Sequence, residues 1–172
     1  MYAKDAIRHA LSFANENTLQ SLEQIQDSPF TFPTAKGGCH PLWVVGHLAF
    51  VEGLFHQLLA GGDLATADWA PLFAPGTEAT ADASHYPTLA DARARYLQLR
   101  QKNLQLLDSL SEADLDKPVK NPPKGLEEHF ATYGKSFLTL ALHQALHRSQ
   151  ITDAIRSAGR PVRTALDGAA AA

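Results

Sequence analysis

Residues 132–158 read TYGKSFLTLALHQALHRSQITDAIRSA, and the spacing within this stretch sets the fold class. Phe137, Leu140, His143 with Gln144, His147, Ile151 and Ala154 recur at steps of three and four, the stripe of an amphipathic helix. Gly159 and Pro161 supply its stop signal. His143 and His147 share that stripe four residues apart, so their imidazoles stand one turn apart on one face. From there both can reach one ion at about 2.0–2.1 Å. Two ordinary half-buried histidines have the same spacing, so the pair alone does not decide. A zinc-protease reading fails on residue type, because Gln144 stands where the general-base glutamate of HExxH is required. No Glu-x-x-His in the helical segments points to a di-iron carboxylate site.

Three further segments carry the helical period. Ile7, Leu11, Ala14, Thr18, Leu22 and Ile25 mark a helix over about 2–26, which Asp27-Ser28-Pro29 and the following TFPTAKGG run end in a loop. Pro41 suits a first helical turn and Gly61-Gly62 a terminator, giving a second helix over 41–60. Its inward stripe reads Trp43, His47, Phe50 with Val51, Leu54 and Leu58. Thr88-Leu89-Ala90-Asp91 opens a third helix over 88–110 as a variant capping box, with Leu89, Ala92, Tyr96, Leu99, Leu106 and Leu110 inward. Ser111-Glu112-Ala113-Asp114 repeats the capping pattern for one short extra turn before the loop KNPPKG. The fourth helix spans 132–158, and the tail RTALDGAAAA is expected to fray at its end. Helices of 20 to 25 residues are roughly 30–37 Å long. Four of them, each with one apolar face, predict an all-α four-helix bundle forming one domain over 1–172. The connection 61–87 is long and holds Trp69 and Phe73, so it is expected to fold over an end of the bundle, these two aromatics being lid candidates.

Composition agrees with a globular protein: 45% hydrophobic and 19% charged residues. A net charge of −3 gives no basic footprint, so nucleic acid is not an expected partner. The single cysteine, Cys39, excludes an internal disulfide and suits a reducing cytoplasm; a lone loop cysteine is read as incidental. Asp5 interrupts the N-terminal segment where a signal peptide needs an apolar run. The apolar stretch from Leu42 to Val51 is broken by Gly46 and His47 and reads as too short to span a bilayer.

His47 strengthens the metal reading. It lies on the apolar stripe of the second helix, where an unpaired polar ring is costly to bury. Three inward histidines from two helices would make a facial ligand set with open positions, the arrangement of a catalytic site. His56 is nine residues on, about 180° round the helix, and should face away. His40 precedes Pro41 at the helix entry, where capping or solvation is expected. His9, His85 and His129 lie in polar surroundings. Gln150, three residues after His147, is a candidate to orient a ligand or to make an interhelical hydrogen bond. Trp43, one turn before His47, is a candidate pocket wall or core residue. Arg148, about 100° off the histidine face, is a candidate for an anionic substrate or a surface ion pair. Glu52 is read as structural.

Two motifs, HPLWVVGHLAFVEG (40–53) and HQALHRSQI (143–151), resemble those of the DinB/YfiT-like superfamily of metal-binding four-helix bundles. The second matches an H-x-x-x-H-R-x-Q pattern, departing only at Ser149, where many members have glycine. Helix order, the long connection after the second helix and chain length agree over nearly the whole chain. The resemblance implies a divalent ion, commonly zinc or nickel, held by His47, His143 and His147, and frequently a homodimer. Relatives include a mycothiol-dependent maleylpyruvate isomerase and bacillithiol S-transferases, and a related domain occurs in ergothioneine biosynthesis.

The expected chemistry is therefore a metal-dependent reaction on a small molecule, with the family favouring transfer involving a low-molecular-weight thiol. An ion held by three neutral histidines keeps its charge and an open position, so it can lower a thiol's pKa to give the thiolate nucleophile. The same ligands serve a hydrolase that activates water. A non-catalytic bundle, in which a metal or three satisfied histidines stabilise a dimer, is the alternative from another class.

Overall fold

In the computed structural model, residues 2–26, 30, 31, 38–164 and 166 are described. Among them the chain is all-α, with helices α1 (Ala3–Glu23), α2 (Pro41–Ala60), α3 (Ala70–Phe73), α4 (Leu89–Ser109) and α5 (Tyr133–Ser157) and no strand. Most of the loop expected after α1, at 27–29 and 32–37, lies outside the described residues, as do 165 and 167–172 of the tail.

Local chemistry sets the boundaries. His40 caps α2, its Nδ1 accepting from the Trp43 N–H at 3.0 Å, and Pro41 follows at the first helical position. Thr88 Oγ1 accepts from the Asp91 N–H at 3.1 Å at the start of α4, and Thr132 does the same for Lys135 at the start of α5. At the end of α5, Gly159 takes φ 72°. α1 ends earlier than its apolar period suggests: residues 24–26 form a turn, yet Ile25 remains buried.

α2 packs on α4, α1 on α5, and α2 reaches α5 to join the pairs. Two apolar clusters result. One holds Trp43, Val44, Leu48, Phe73, Tyr96 and Ile151; the other holds Leu11, Phe55, Leu59, Leu107, Phe137 and Leu140. On each long helix a buried polar residue falls between the two sets. Glu52 Oε1 meets Arg100 Nη2 at 2.5 Å, and Asn103 Nδ2 donates to Glu52 Oε2 at 2.7 Å. Arg100 Nη2 also donates to Gln144 Oε1 at 2.6 Å, and Gln144 Nε2 donates to Thr18 Oγ1 at 3.2 Å. This layer ties all four long helices together.

The 61–87 connection is strapped along α2 and contains the short helix α3. Gly46 and Gly53 leave room for it: a Cβ on Gly46 would stand 2.2 Å from Phe73 Cε1, and one on Gly53 would stand 2.5 Å from Thr66 Oγ1. Phe73 and Thr66 are both fully buried. Trp69 lies against Phe73, and the Arg95 guanidinium covers Trp69 at 4.4 Å while pairing with Asp68. The lid expectation for Trp69 and Phe73 is therefore corrected. Both rings are built into the core because two glycines let the strap approach the α2 backbone. Gly46→Ala is expected to destabilise the protein by about 1–3 kcal/mol through overpacking. Its urea midpoint should fall, and Phe73→Leu in the same chain should restore part of the loss.

A second excursion, residues 119–131, is closed at its neck. Val119 N–H donates to Ala131 O and Tyr133 N–H to Lys117 O, both at 3.1 Å, around a single bridge between Pro118 and Thr132. Phe130 returns to pack on Phe55, with ring centroids 5.6 Å apart.

α2 also corrects two sequence expectations. With 20 residues, and a mean hydropathy of 1.3 over an 18-residue window, it is long and apolar enough to cross a membrane by length and composition; 72% of that window is buried, as in a core helix. Because α2 is apolar almost all round, its period is ambiguous. Glu52, Phe55 and Leu59 enter the core, whereas Val51, Leu54 and Leu58 are only half-buried.

Candidate metal centre

The strap, α2 and α5 meet around three imidazoles. His47 is 3% exposed, and His143 and His147 are half-buried one turn apart on α5. Their ring centroids are 4.4–5.2 Å apart, and one ligand atom from each lies within 4.8 Å of the others. His47 Nε2 and His143 Nε2 are 3.3 Å apart. Two nitrogens bonded to one zinc-like ion at about 2.0–2.1 Å stand roughly 2.9–3.4 Å apart, so this pair needs almost no adjustment.

Proton positions follow from the partners. Phe73 O, 2.7 Å from His47 Nδ1, can only accept, so Nδ1 carries the proton and the lone pair is on Nε2, aimed at the other rings. His147 Nδ1 is 2.8 Å from Gln150 Oε1, which fixes the same tautomer there. Trp43 stacks on His47 at 4.7 Å with the ring planes 10° apart, and its Nε1 donates to Leu72 O at 3.0 Å. Burial pushes His47 down to about 4 and His143 down to about 3, with neighbouring imidazoles adding to both shifts. Burial lowers His147 as well, against the pull of Gln150. Near neutral pH all three are uncharged, the state a ligand requires. His143 Nδ1 is buried without a hydrogen-bond partner among the described groups. Three neutral imidazole donors, two of them pinned through Nδ1, fit a divalent transition-metal cation.

The other sequence candidates separate clearly. Gln150 touches His147, and Trp43 forms one wall. Arg148 points elsewhere: its Nε donates to Asn17 O at 3.2 Å and Ser21 Oγ at 3.0 Å on α1. The step off the histidine face turns these bonds onto the neighbouring helix. Gln144 faces the polar layer. His56 meets Asn103 at 3.0 Å, away from the triad, and His9, His85 and His129 are exposed. The sequence reading missed the Phe73 carbonyl, since its interest there was the ring. It also missed Arg100 and Asn103, although both continue the inward series that includes Tyr96. Cys39 is half-buried, with its thiol raised by burial and lowered by a hydrogen bond from Gln150.

Two measurable consequences arise here. Gln150→Ala frees the His147 ring and is expected to weaken metal binding about 10–100-fold, read by competition with a chromophoric chelator. In metal-free protein, an unfolded histidine takes its proton near pH 6.5, whereas folded His47 and His143 resist until about 4 and 3. The unfolded state therefore binds more protons in that window, so stability is intact above pH 6.5 and is lost as pH falls. For His47 alone the loss by pH 4 is on the order of 3 kcal/mol. Urea midpoints taken from pH 7 to 4 should fall, and saturating zinc at pH 7 should raise them.

A family model described as the DinB superfamily matches residues 10–151, from within α1 to within α5. No curated protein matches the chain.

Proposed function

The chain belongs to the DinB superfamily, and from that premise we propose that it is a divalent-metal-dependent enzyme, a thiol-dependent transferase acting on a small molecule. The observation that carries this reading is the convergence of three neutral imidazoles on one point, two of them held through Nδ1. In this reading the four long helices form the bundle typical of the family, and the ion is zinc or nickel.

Bound by the three histidines, such an ion would supply Lewis acidity that stabilises a thiolate near pH 7. The rest falls to the chain's own residues. Phe73 O and Gln150 Oε1 hold the Nδ1 protons of His47 and His147, so each ring presents a lone pair without rotating. Trp43 covers one side and keeps water from it. Among the described residues no carboxylate belongs to the cluster, and Glu52, on the same helix as His47, is taken by Arg100 and Asn103. A site without a general base favours a nucleophile that loses its proton easily, which supports a thiol over water. Leu138, Leu142 and Leu146 lie four residues apart and exposed on α5, which supports a homodimer across that face.

Elemental analysis of protein purified without chelator, followed by zinc and nickel add-back, tests the site; about one ion per chain is expected. Metal-free protein that takes up neither ion would overturn the reading. Screening the loaded protein with low-molecular-weight thiols and an electrophile tests the reaction. Turnover only with water would make it a hydrolase, and none at all would leave a metal-stabilised structural bundle.

A further inference from the structure

His143 also lines a cavity of about 860 Å³, within the range of small-molecule sites. One wall is the half-buried side of α2, where Val51, Leu54 and Leu58 follow His47 at steps of four, three and four and share its face. Pro123, Leu126 and Phe130 of the necked 119–131 excursion form the facing wall. From Val51 to Ala60 the α2 wall runs about 14 Å, and of the three histidines His143 is the one that lines the space. Leu126 remains 47% exposed although it lies over an apolar floor. Besides His143 the polar lining residues are Gln57, Lys120, Asn121 and Tyr133, and Lys120 is the one side chain among them that carries a formal charge at neutral pH. Lys120 and Asn121 stand on the excursion, and no aspartate or glutamate is among the lining residues. A second cavity, beside Arg95 and Lys102, touches none of the three histidines.

From these features we infer that this cavity is the substrate pocket, and that its ligand is an elongated apolar molecule bearing one anionic group. The apolar body lies along Val51, Leu54 and Leu58, the anionic group meets Lys120 and Asn121, and the far end reaches His143. Burying methylenes against this wall drives binding at about 0.8 kcal/mol per group. Lys120 and the Asn121 amide supply donors and positive charge without an opposing carboxylate. A strongly polar or cationic ligand would leave its groups unpaired against the apolar walls. The inference rests on the metal-enzyme reading for what happens at the histidine end, but the binding itself does not require an ion.

Decanoate and 1-decanol are suitable probes, titrated calorimetrically into metal-free and zinc-loaded full-length protein, with amide shifts mapping the site. Decanoate should bind both forms, shift the Val51–Gly61 and Lys120–Phe130 amides, and bind more tightly than decanol. Leu58→Trp fills the cavity three helical turns from His47. It should weaken decanoate at least tenfold while metal content stays unchanged. Lys120→Glu, at an exposed position that the fold does not need, should weaken decanoate about tenfold and leave decanol within twofold. No binding of decanoate at millimolar concentration, shifts confined to other surfaces, or a Lys120→Glu variant with unaltered preference would each overturn the pocket. Decanoate binding that follows this pattern in a protein that takes up no metal would keep the pocket and sink the metal-enzyme reading. Metal uptake without such binding would do the reverse.

Discussion

Glu52→Ala is expected to cost about 3–5 kcal/mol of folding stability, as removal of one partner from a buried ion pair does. Glu52 is 1% exposed and its carboxylate is the anionic partner of Arg100, itself 3% exposed. Burial pushes the Glu52 carboxyl above its usual range, and Arg100 and Asn103 pull it back. With the carboxylate gone, a guanidinium whose Nε and Nη1 already have no hydrogen-bond partner would keep the neutral oxygen of Gln144 and the neighbouring Tyr96 ring, neither of which carries a compensating charge. A charge so placed loses far more than one hydrogen bond, because the interior cannot replace water around it. Replacing both partners by apolar residues, as in Glu52→Leu with Arg100→Met, should recover most of the loss. Urea unfolding of the two single variants and the double variant checks this. A double variant as unstable as the sum of the singles would show that the pair is not the source of the effect.

His47→Ala is expected to lower metal affinity by more than about a hundredfold, beyond the range for removing an orienting residue such as Gln150. The substitution removes the one ligand supplied by α2 and leaves two imidazoles on a single helix. It also leaves the Phe73 carbonyl without its donor and the Trp43 ring without its stacked neighbour. Chelator competition reads the affinity, and near-ultraviolet circular dichroism reads the change around Trp43. Affinity within tenfold of wild type would mean that the ion sits elsewhere. In that case His143 and His147 would have to be silent in the same assay.

The particular residues explain what could be read in advance. The α2 bounds are legible because Pro41 and Gly61 are local signals that act without tertiary help. The approach of His143 to His147 follows from helix geometry alone. That of His47 needs a correct guess about which way α2 faces, and an almost wholly apolar helix gives little guidance. The same ambiguity put Val51, Leu54 and Leu58 in the core when they line a cavity. Arg100 and Asn103 were not legible because a long polar side chain on an inward stripe looks like an interruption until its partners on other helices are known. Phe73 shows a different limit. Its functional atom is a backbone oxygen, for which no side-chain pattern can speak.

The neck at Pro118 and Thr132 separates two kinds of change. Residues beyond it pack on the α2 wall of the cavity but supply none of the three imidazoles. Substitutions or length changes between Lys120 and Phe130 can therefore alter which guest is accepted while the ligand set stays in place. In the proposed reading, the segment that would select the guest is thus physically separate from the three imidazoles that would hold the ion, so the two can be altered independently.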